Sequence, residues 1–308
     1  MVDSTDVPLI DPPLRSTTLA DGRTLTWQEF GVPDGRPVLY FHGGGSTSIE
    51  GGIFHGEAVR NRLRVIATNR PGAGGSTLRP GRPVAAYADD LRELLDQLGI
   101  EAVACFGESN GGMITMAAAA MMPDRVRGAA PINPTLPWFD REARRVSSAG
   151  AAIAYQLMKR APRLVASLAD HAVKSAERRH RVESEQGDAS PPRRPGSVSP
   201  ADLVGPPPGT EPDVAALHRR TEVERAGRDG LLAEFAWASR DWGFDHCAIP
   251  APLDFFCGEH DIQGPFARVL AQRNPDARFH EFAHGHNGFS HPDARRRIVD
   301  VVTGYLER

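Results

Sequence analysis

The ten residues at 103–112, VACFGESNGG, decide the fold class of this chain. A run of small apolar residues, typical of a buried strand, ends at Ser109, which has a glycine two positions away on either side. The residues that follow, MITMAAAAMM at 113–122, are rich in good helix formers. A strand that turns sharply through a serine into a helix fits the G-x-S-x-G nucleophile elbow. The other interpretation is a tight turn in which Ser109 has no chemical role.

The glycines of this pattern have a physical reason. Side chains at Gly107 and Gly111 would collide with the strand or with the helix, because the chain turns sharply between them. The five-residue pattern alone is a modest signal. Its position behind a strand-like run and before a helix-like run favours a functional serine at 109.

Strand-like and helix-like segments alternate from about residue 37 onward. Strands are predicted at 38–41, 65–67, 102–106, 128–132, 253–257 and 277–282. The clearest helical pattern is 87–98, which ends at Gly99. This order predicts an α/β fold with a mainly parallel sheet and helices on both faces. A hairpin around Asp21-Gly22 adds antiparallel strands at one edge.

The alternation stops at about residue 134 and resumes near 250. We therefore expect a core formed by 1–134 and 249–308, with a helical cap inserted at 135–248. The Pro-rich part of the cap, about 183–213, has almost no large apolar side chains and is predicted to be a mobile or irregular loop. Aromatic and Met side chains of the cap are candidates for lining a substrate pocket: Trp138, Phe139, Tyr155, Met158, Phe235, Trp237 and Trp242.

Composition excludes several classes of function. The 308 residues carry a net charge of −3, which favours neither nucleic acid nor an anionic membrane surface. The N-terminus lacks the features of a secretory signal, and no apolar run approaches the roughly 20 residues of a membrane span. The three cysteines fit neither a disulfide framework nor a zinc pattern. We expect a cytoplasmic protein, a monomer or homodimer, without a metal or cofactor.

A nucleophilic serine needs a histidine base oriented by a carboxylate. In sheets of this kind the three residues follow the chain order Ser, Asp or Glu, His. Asp261 lies in the loop GEHD (258–261) at the C-terminal end of the predicted strand LDFFC, and His286 lies in the loop after the last predicted strand. We predict that Ser109, Asp261 and His286 form a catalytic triad.

Alternatives exist for two of these roles. His284 and His291 share a loop with His286, which is favoured because the preceding Gly285 lets the backbone turn. Glu259 and Asp254 are the other candidate acids, although Asp254 lies at the start of the predicted strand.

An acyl-transfer site also needs two backbone N–H groups to stabilise the oxyanion. One is expected from Asn110, at the start of the helix after the nucleophile, where free N–H groups and the helix dipole favour an anion. The other is expected from the loop HGGGS at 42–46, which contains Gly43 and Gly44. Consecutive glycines let this backbone approach a substrate closely.

Five segments resemble the α/β-hydrolase superfamily, and in particular its bacterial members of the proline-iminopeptidase-like or general hydrolase type. They are HGGGS (42–46), RVIATNRPGAGGST (64–77), GESNGG (107–112), WGFDHCAIPAPLDFFCGEHD (242–261) and GHNGF (285–289). The resemblance implies an eight-stranded, mostly parallel sheet with an inserted cap, no cofactor, and Gly44 as an oxyanion donor. Two residues depart from the usual pattern: Asn69, where aspartate is common, and Glu108, where many relatives carry a neutral or His side chain.

The expected function is a serine hydrolase that cleaves an ester or a related small acyl substrate through an acyl-enzyme on Ser109. Two alternatives remain open on the same sequence. One is an acyltransferase or cyclase that uses the same triad, and the other is a ligand-binding member of the fold without hydrolytic activity.

Overall fold

The apolar run before Ser109 forms the fifth of eight strands in a single sheet. The computed structural model describes residues 7–146, 206–223 and 228–307, together with scattered positions between 153 and 167. The strands are β1 Arg15–Thr18, β2 Thr24–Gly31, β3 Arg36–Phe41, β4 Leu63–Thr68, β5 Val103–Glu108, β6 Val126–Ile132, β7 Asp254–Gly258 and β8 Arg278–Phe282.

The sheet has the strand order β1-β2-β4-β3-β5-β6-β7-β8. The first two strands form an antiparallel hairpin, and β2 pairs antiparallel with β4. All other neighbours are parallel. Gly22 in the hairpin turn has a φ of 84°, the left-handed conformation for which glycine is suited. The predicted eight-stranded, mostly parallel sheet with an antiparallel edge is confirmed.

Helices cover both faces of this sheet. They are α1 His55–Arg60, α2 Tyr87–Gln97, α3 Asn110–Met121, α4 Arg141–Val146, α5 Pro212–Val223, α6 Arg228–Ser239, α7 Gly264–Arg273 and α8 Pro292–Tyr305. Successive side chains of a strand point to opposite faces, so Leu39 and Cys105 join one buried cluster while Tyr40 and Phe106 join the other. This explains why the central strands read as continuous apolar runs rather than alternating ones.

The central strand β3 lies between β4 and β5. The chain therefore passes from β3 to β4 on one side of it and then crosses over to β5 on the other side. Such a reversal of strand order opens a crevice beyond the carboxyl ends of the two strands. The loop at 42–46 follows β3, and Ser109 follows β5. The sheet topology alone therefore brings the two glycine-rich segments of the sequence together.

Between β6 and β7 the chain contains the insertion predicted as a cap, in which α4, α5 and α6 lie. Three of its aromatic residues, Trp138, Trp237 and Trp242, belong to the main core cluster rather than to an isolated pocket. Tyr155, Met158 and most of the Pro-rich segment at 183–213 lie outside the described residues, so the predictions made for them stay predictions. Among the helices that the structure describes, none has the length and apolar character of a membrane-spanning segment.

Candidate active site

Ser109 lies in a strained turn between β5 and α3. Its φ is 52° and its ψ is −113°, and a positive φ is uncommon for residues other than glycine. A methyl group on Gly107 would come within 2.6 Å of the Phe41 carbonyl oxygen, and one on Gly111 would overlap the same oxygen. The sharp turn predicted from the sequence is present, and its glycines are required because the end of β3 packs against both of them.

Gly111→Ala tests this requirement. The new methyl group would meet backbone atoms of Phe41, which cannot move aside as a side chain can, so we expect a loss of about 3 kcal/mol or more in the free energy of unfolding. Gly304, in α8, is a matched control because a methyl group there meets no atom within 4 Å. Gly304→Ala should stabilise the protein by about 0.5 kcal/mol. Denaturant unfolding measures both, and equal effects would contradict the packing argument.

Asp261 and His286 form a hydrogen-bonded pair beyond the carboxyl ends of β7 and β8, at the same end of the sheet as Ser109. Asp261 Oδ2 lies 2.6 Å from His286 Nδ1, and Asp261 Oδ1 accepts a hydrogen bond from the backbone N–H of Gln263 at 2.7 Å. The carboxylate is therefore fixed from both sides. The competing bases lie away from it: His284 is exposed, and its ring packs on that of His291 with 5.0 Å between centroids.

The competing acids are placed elsewhere. Asp254 lies at the start of β7 and is bound by Arg278 at 2.7 Å, by His280 at 2.5 Å and by the Tyr305 hydroxyl. Burial by itself raises the pKa of Asp254, but the hydrogen bonds from His280, Arg278 and Tyr305 more than offset it and hold the pKa well below its usual range. Glu259 is exposed. Asp254 thus joins β7, β8 and α8. Of the three candidate acids named from the sequence, Asp261 is the one that contacts His286.

The second nitrogen of His286 faces Glu108. His286 Nε2 and Glu108 Oε1 are 2.7 Å apart, an ion-pair contact without the alignment of a hydrogen bond. No hydrogen bond joins Ser109 to His286 within the part of the chain that the structure describes. The side chain of Glu108 turns toward Gly43, where a methyl group would overlap its Oε2 atom. The departure noted in the sequence therefore lies inside the site.

The glycine loop at 42–46 has some of its N–H groups already engaged. Gly43 N–H donates to Glu50 Oε1 at 2.7 Å, and Gly45 N–H donates to Glu234 Oε2 at 2.9 Å. Among the described residues, the N–H groups of Gly44 and Asn110 make no hydrogen bond. Asn110 is the first residue of α3, where no intrahelical acceptor exists. Of the predicted donors, Gly44 and Asn110 are thus available to an oxyanion and Gly43 is not.

A buried ion pair connects this loop to the insertion. Arg70 Nη2 lies 2.6 Å from Glu234 Oε1, and both side chains are almost fully buried. Arg70 also donates to the carbonyl oxygens of His42 and Gly43, while Asn110 Nδ2 donates to Glu234 Oε2 at 3.2 Å. Removing one partner of such a pair leaves an uncompensated buried charge. Glu234 therefore joins helix α6 to the glycine loop at 42–46.

Asn133 fixes the backbone of the His286 loop. Its side-chain amide donates to the carbonyl oxygen of His286 at 2.7 Å, and its Oδ1 atom accepts from the N–H of Gly258 at 2.9 Å. Sequence reasoning missed Asn133, Glu50, Arg70 and Glu234. Only Arg70 lies in a segment that the resemblance had marked, and the others become visible only when the elements pack together.

Burial and neighbouring charges shift the pKa values of two groups in the site, His286 and Glu50. Burial by itself lowers the pKa of His286, but the charge of Glu108 and the hydrogen bond to Asp261 more than offset it and raise the pKa well above its usual value. Burial and the nearby charge of Glu108 raise the pKa of Glu50 to about 7. No group of three or more His, Cys, Asp or Glu side chains among the described residues is arranged to hold a metal ion.

An elbow after the fifth strand, followed along the chain by an acid and then a histidine, is the order of a serine-type α/β hydrolase. A family model described as alpha/beta hydrolase fold matches residues 36–289. The chain belongs to this family.

Curated relatives match a part of the chain. The proline iminopeptidase of Neisseria meningitidis is 32% identical over 115 residues, which are 34% of this chain and 34% of that protein. The proline iminopeptidase of Arabidopsis thaliana is 32% identical over 120 residues, which are 36% of this chain and 30% of that protein. The match thus spans about a third of the length of these relatives.

Solved structures match over nearly the whole chain. An esterase from Rhodococcus sp. has a TM-score of 0.66 at 19% identity, covering 95% of this chain and 98% of that one. An enol-lactonase from Burkholderia xenovorans has a TM-score of 0.63 at 18% identity, covering 96% and 100%. At this level of identity the likeness establishes the fold.

Proposed function

We propose that this chain is a serine hydrolase that cleaves an ester or a related small acyl substrate through an acyl-enzyme on Ser109. The observation that carries the proposal is the strained φ of 52° at Ser109, at the same sheet edge as the Asp261–His286 pair. Backbone strain of this kind costs free energy and persists where it presents a functional side chain.

Acylation follows from the placement of these groups. His286 Nε2 takes the proton of Ser109 Oγ as this oxygen attacks the carbonyl carbon of the substrate. Asp261 accepts the Nδ1–H hydrogen bond and so keeps the lone pair of the neutral imidazole on Nε2. The oxyanion accepts hydrogen bonds from the N–H groups of Gly44 and Asn110. His286 then returns the proton to the leaving alcohol as the ester bond breaks.

Deacylation repeats the same proton transfers, with water as the nucleophile in place of Ser109. His286 Nε2 takes a proton from water as the water oxygen attacks the acyl carbon, and the carboxylic acid leaves when Ser109 recovers its proton. The two half-reactions together convert the ester and one water molecule into the carboxylic acid and the alcohol. They require Nε2 of His286 to exchange its contact with Glu108 for one with Ser109.

A panel of small activated esters, a lactone and a prolyl anilide tests the proposal and the substrate class. The last two compounds are included because an enol-lactonase and proline iminopeptidases are among the similar proteins. We expect ester hydrolysis above the buffer rate, with the acid and the alcohol released in equal amounts. No turnover of any compound, combined with tight retention of one, would contradict hydrolysis and favour a ligand-binding member of the fold.

Added alcohol and amine acceptors distinguish hydrolysis from acyl transfer. A hydrolase releases mainly the free acid even when the acceptor is abundant. An ester or amide of the acceptor as the main product would instead identify an acyltransferase that uses the same serine.

A further inference from the structure

Both ring nitrogens of His286 face carboxylates. Nδ1 lies 2.6 Å from Asp261 and Nε2 lies 2.7 Å from Glu108. A neutral imidazole has one N–H donor and one lone pair, so it can satisfy only one of two ionised carboxylates. The arrangement therefore holds a proton on each side of the ring. With a proton on each nitrogen the ring is an imidazolium, and Nε2 then has no lone pair to accept a proton from Ser109.

Glu108 is held in this position by its surroundings. Its side chain is almost fully buried, and its Oε2 atom fills the space beside Gly43 that a side chain would otherwise take. Its Oε1 atom has no aligned hydrogen-bond donor among the described residues. A buried carboxylate without a partner is costly. The ion pair with His286 is accordingly a favoured contact of the resting protein.

We propose that Glu108 is a positioning residue that holds His286 as a charged imidazolium, unbonded to Ser109, in the resting protein. The inference rests on the proposed hydrolysis, which on this view begins only after the imidazolium has lost its Nε2 proton. The side chain of His286 is 24% exposed, so this proton can pass to solvent. The freed lone pair is then available to the Ser109 hydroxyl.

The charges around His286 favour its protonated form. Glu108 faces it from β5 and Asp261 from the turn after β7, and the carboxyl of Glu50 lies behind Glu108 beside Gly43. Other titratable groups near the site, among the residues that the structure describes, include Tyr40, which donates to Glu50, and Arg70, which is paired with Glu234. They also include the buried His42 and the pair His284 and His291, whose rings lie 5.0 Å apart. The positive charge of Arg70, which contacts the loop at 42–46, is thus already balanced by Glu234.

The pH dependence follows from the direction of the shift. The pKa of His286 is raised, so the base is blocked below that pKa and becomes available above it. The stability that the ion pair contributes has the opposite dependence. It is fully present below the pKa of an unfolded histidine and is lost as the pH rises through the folded value. The contribution of this ion pair to stability should therefore be largest at the pH values where the protein is least active.

Glu108→Gln tests the proposal through the pH profile of kcat/KM on an activated ester. Removing the charge should shift the acid limb of the profile toward lower pH by about one to three units. Activity at about pH 6 should therefore rise at least about tenfold. Glu108→Asp keeps the charge and should keep the limb high. Glu101→Gln, at an exposed position between α2 and β5, is the matched control and should leave the profile unchanged. An acid limb in Glu108→Gln identical to that of the unmodified protein would overturn the proposal.

A second measurement does not depend on turnover. In Ser109→Ala protein, NMR of nitrogen-labelled histidine follows the protonation of His286, whose signals are identified by their loss in His286→Asn. We expect a titration midpoint well above the usual histidine value, and a lower midpoint when Glu108→Gln is added. An ordinary midpoint overturns the role of Glu108 even if esters are hydrolysed. A raised midpoint without hydrolysis of any substrate supports the ion pair and contradicts the proposed function instead.

Discussion

Ser109→Ala is expected to reduce kcat for a small ester by about a millionfold. The alanine keeps the small side-chain volume at the strained turn but removes the oxygen to which the acyl group would be transferred. Substrate binding should change little, because the N–H groups of Gly44 and Asn110 are unaffected. The decisive readouts are single-turnover kinetics and covalent labelling by a fluorophosphonate. The variant should show no rapid turnover of the ester and no labelling.

Ser16→Ala, in the exposed strand β1, is the control for this substitution and should keep full activity and labelling. Thermal unfolding of both variants separates a chemical effect from loss of the fold. Ester turnover by folded Ser109→Ala protein within a few fold of the unmodified rate would show that another group performs the chemistry.

Asp261→Asn is expected to reduce kcat by roughly ten-thousandfold. The asparagine Oδ1 can still accept from the N–H of Gln263, so the local backbone is preserved. Its amide NH₂ would face His286 Nδ1 as a donor, which favours the tautomer with the proton on Nε2 and leaves no lone pair for Ser109. The rate should fall while the midpoint of thermal unfolding moves only slightly.

Asp254→Asn supplies the matched control, since both acids belong to the β7 region and only Asp261 contacts His286. Asp254 binds Arg278, His280 and the hydroxyl of Tyr305, so its loss should lower stability. The remaining folded protein should keep kcat within a few fold. If Asp254→Asn abolished catalysis and Asp261→Asn did not, the assignment of the acid would be reversed.

The sheet could be predicted from the sequence because its signals are local. Continuous apolar runs bounded by glycine-containing turns, such as the run before Ser109, identify strands buried on both faces. The turns at Gly22 and Gly99 have φ values of 84° and 66°, as the hairpin and the helix end require. Neither prediction needed knowledge of contacts between distant residues.

The candidate site could be predicted in part. The positions of Ser109, Asp261 and His286 at strand ends follow from chain order, and the structure brings Asp261 and His286 into contact. The direction of the Glu108 side chain could not be read from the sequence, since it depends on the space left beside Gly43 once β3 and β5 lie together.

Contacts between separate elements account for the rest. Glu234 reaches Arg70 across 164 positions of the chain, and no local pattern marks it. The same holds for Glu50, whose carboxylate fixes Gly43 and removes its N–H group from the predicted oxyanion donors. The division of the chain into core and cap, the cytoplasmic location and the monomeric or dimeric state stay predictions.

The central claim is that an acyl group passes through Ser109, and rapid-quench peptide mass spectrometry tests it most directly. The protein is mixed with an excess of an activated ester, stopped within one turnover and digested. The account predicts the mass of one acyl group on the peptide that contains Ser109, formed faster than product is released and absent from Ser109→Ala. Full turnover with no acyl group on this peptide, or with the acyl group on another residue, would contradict it.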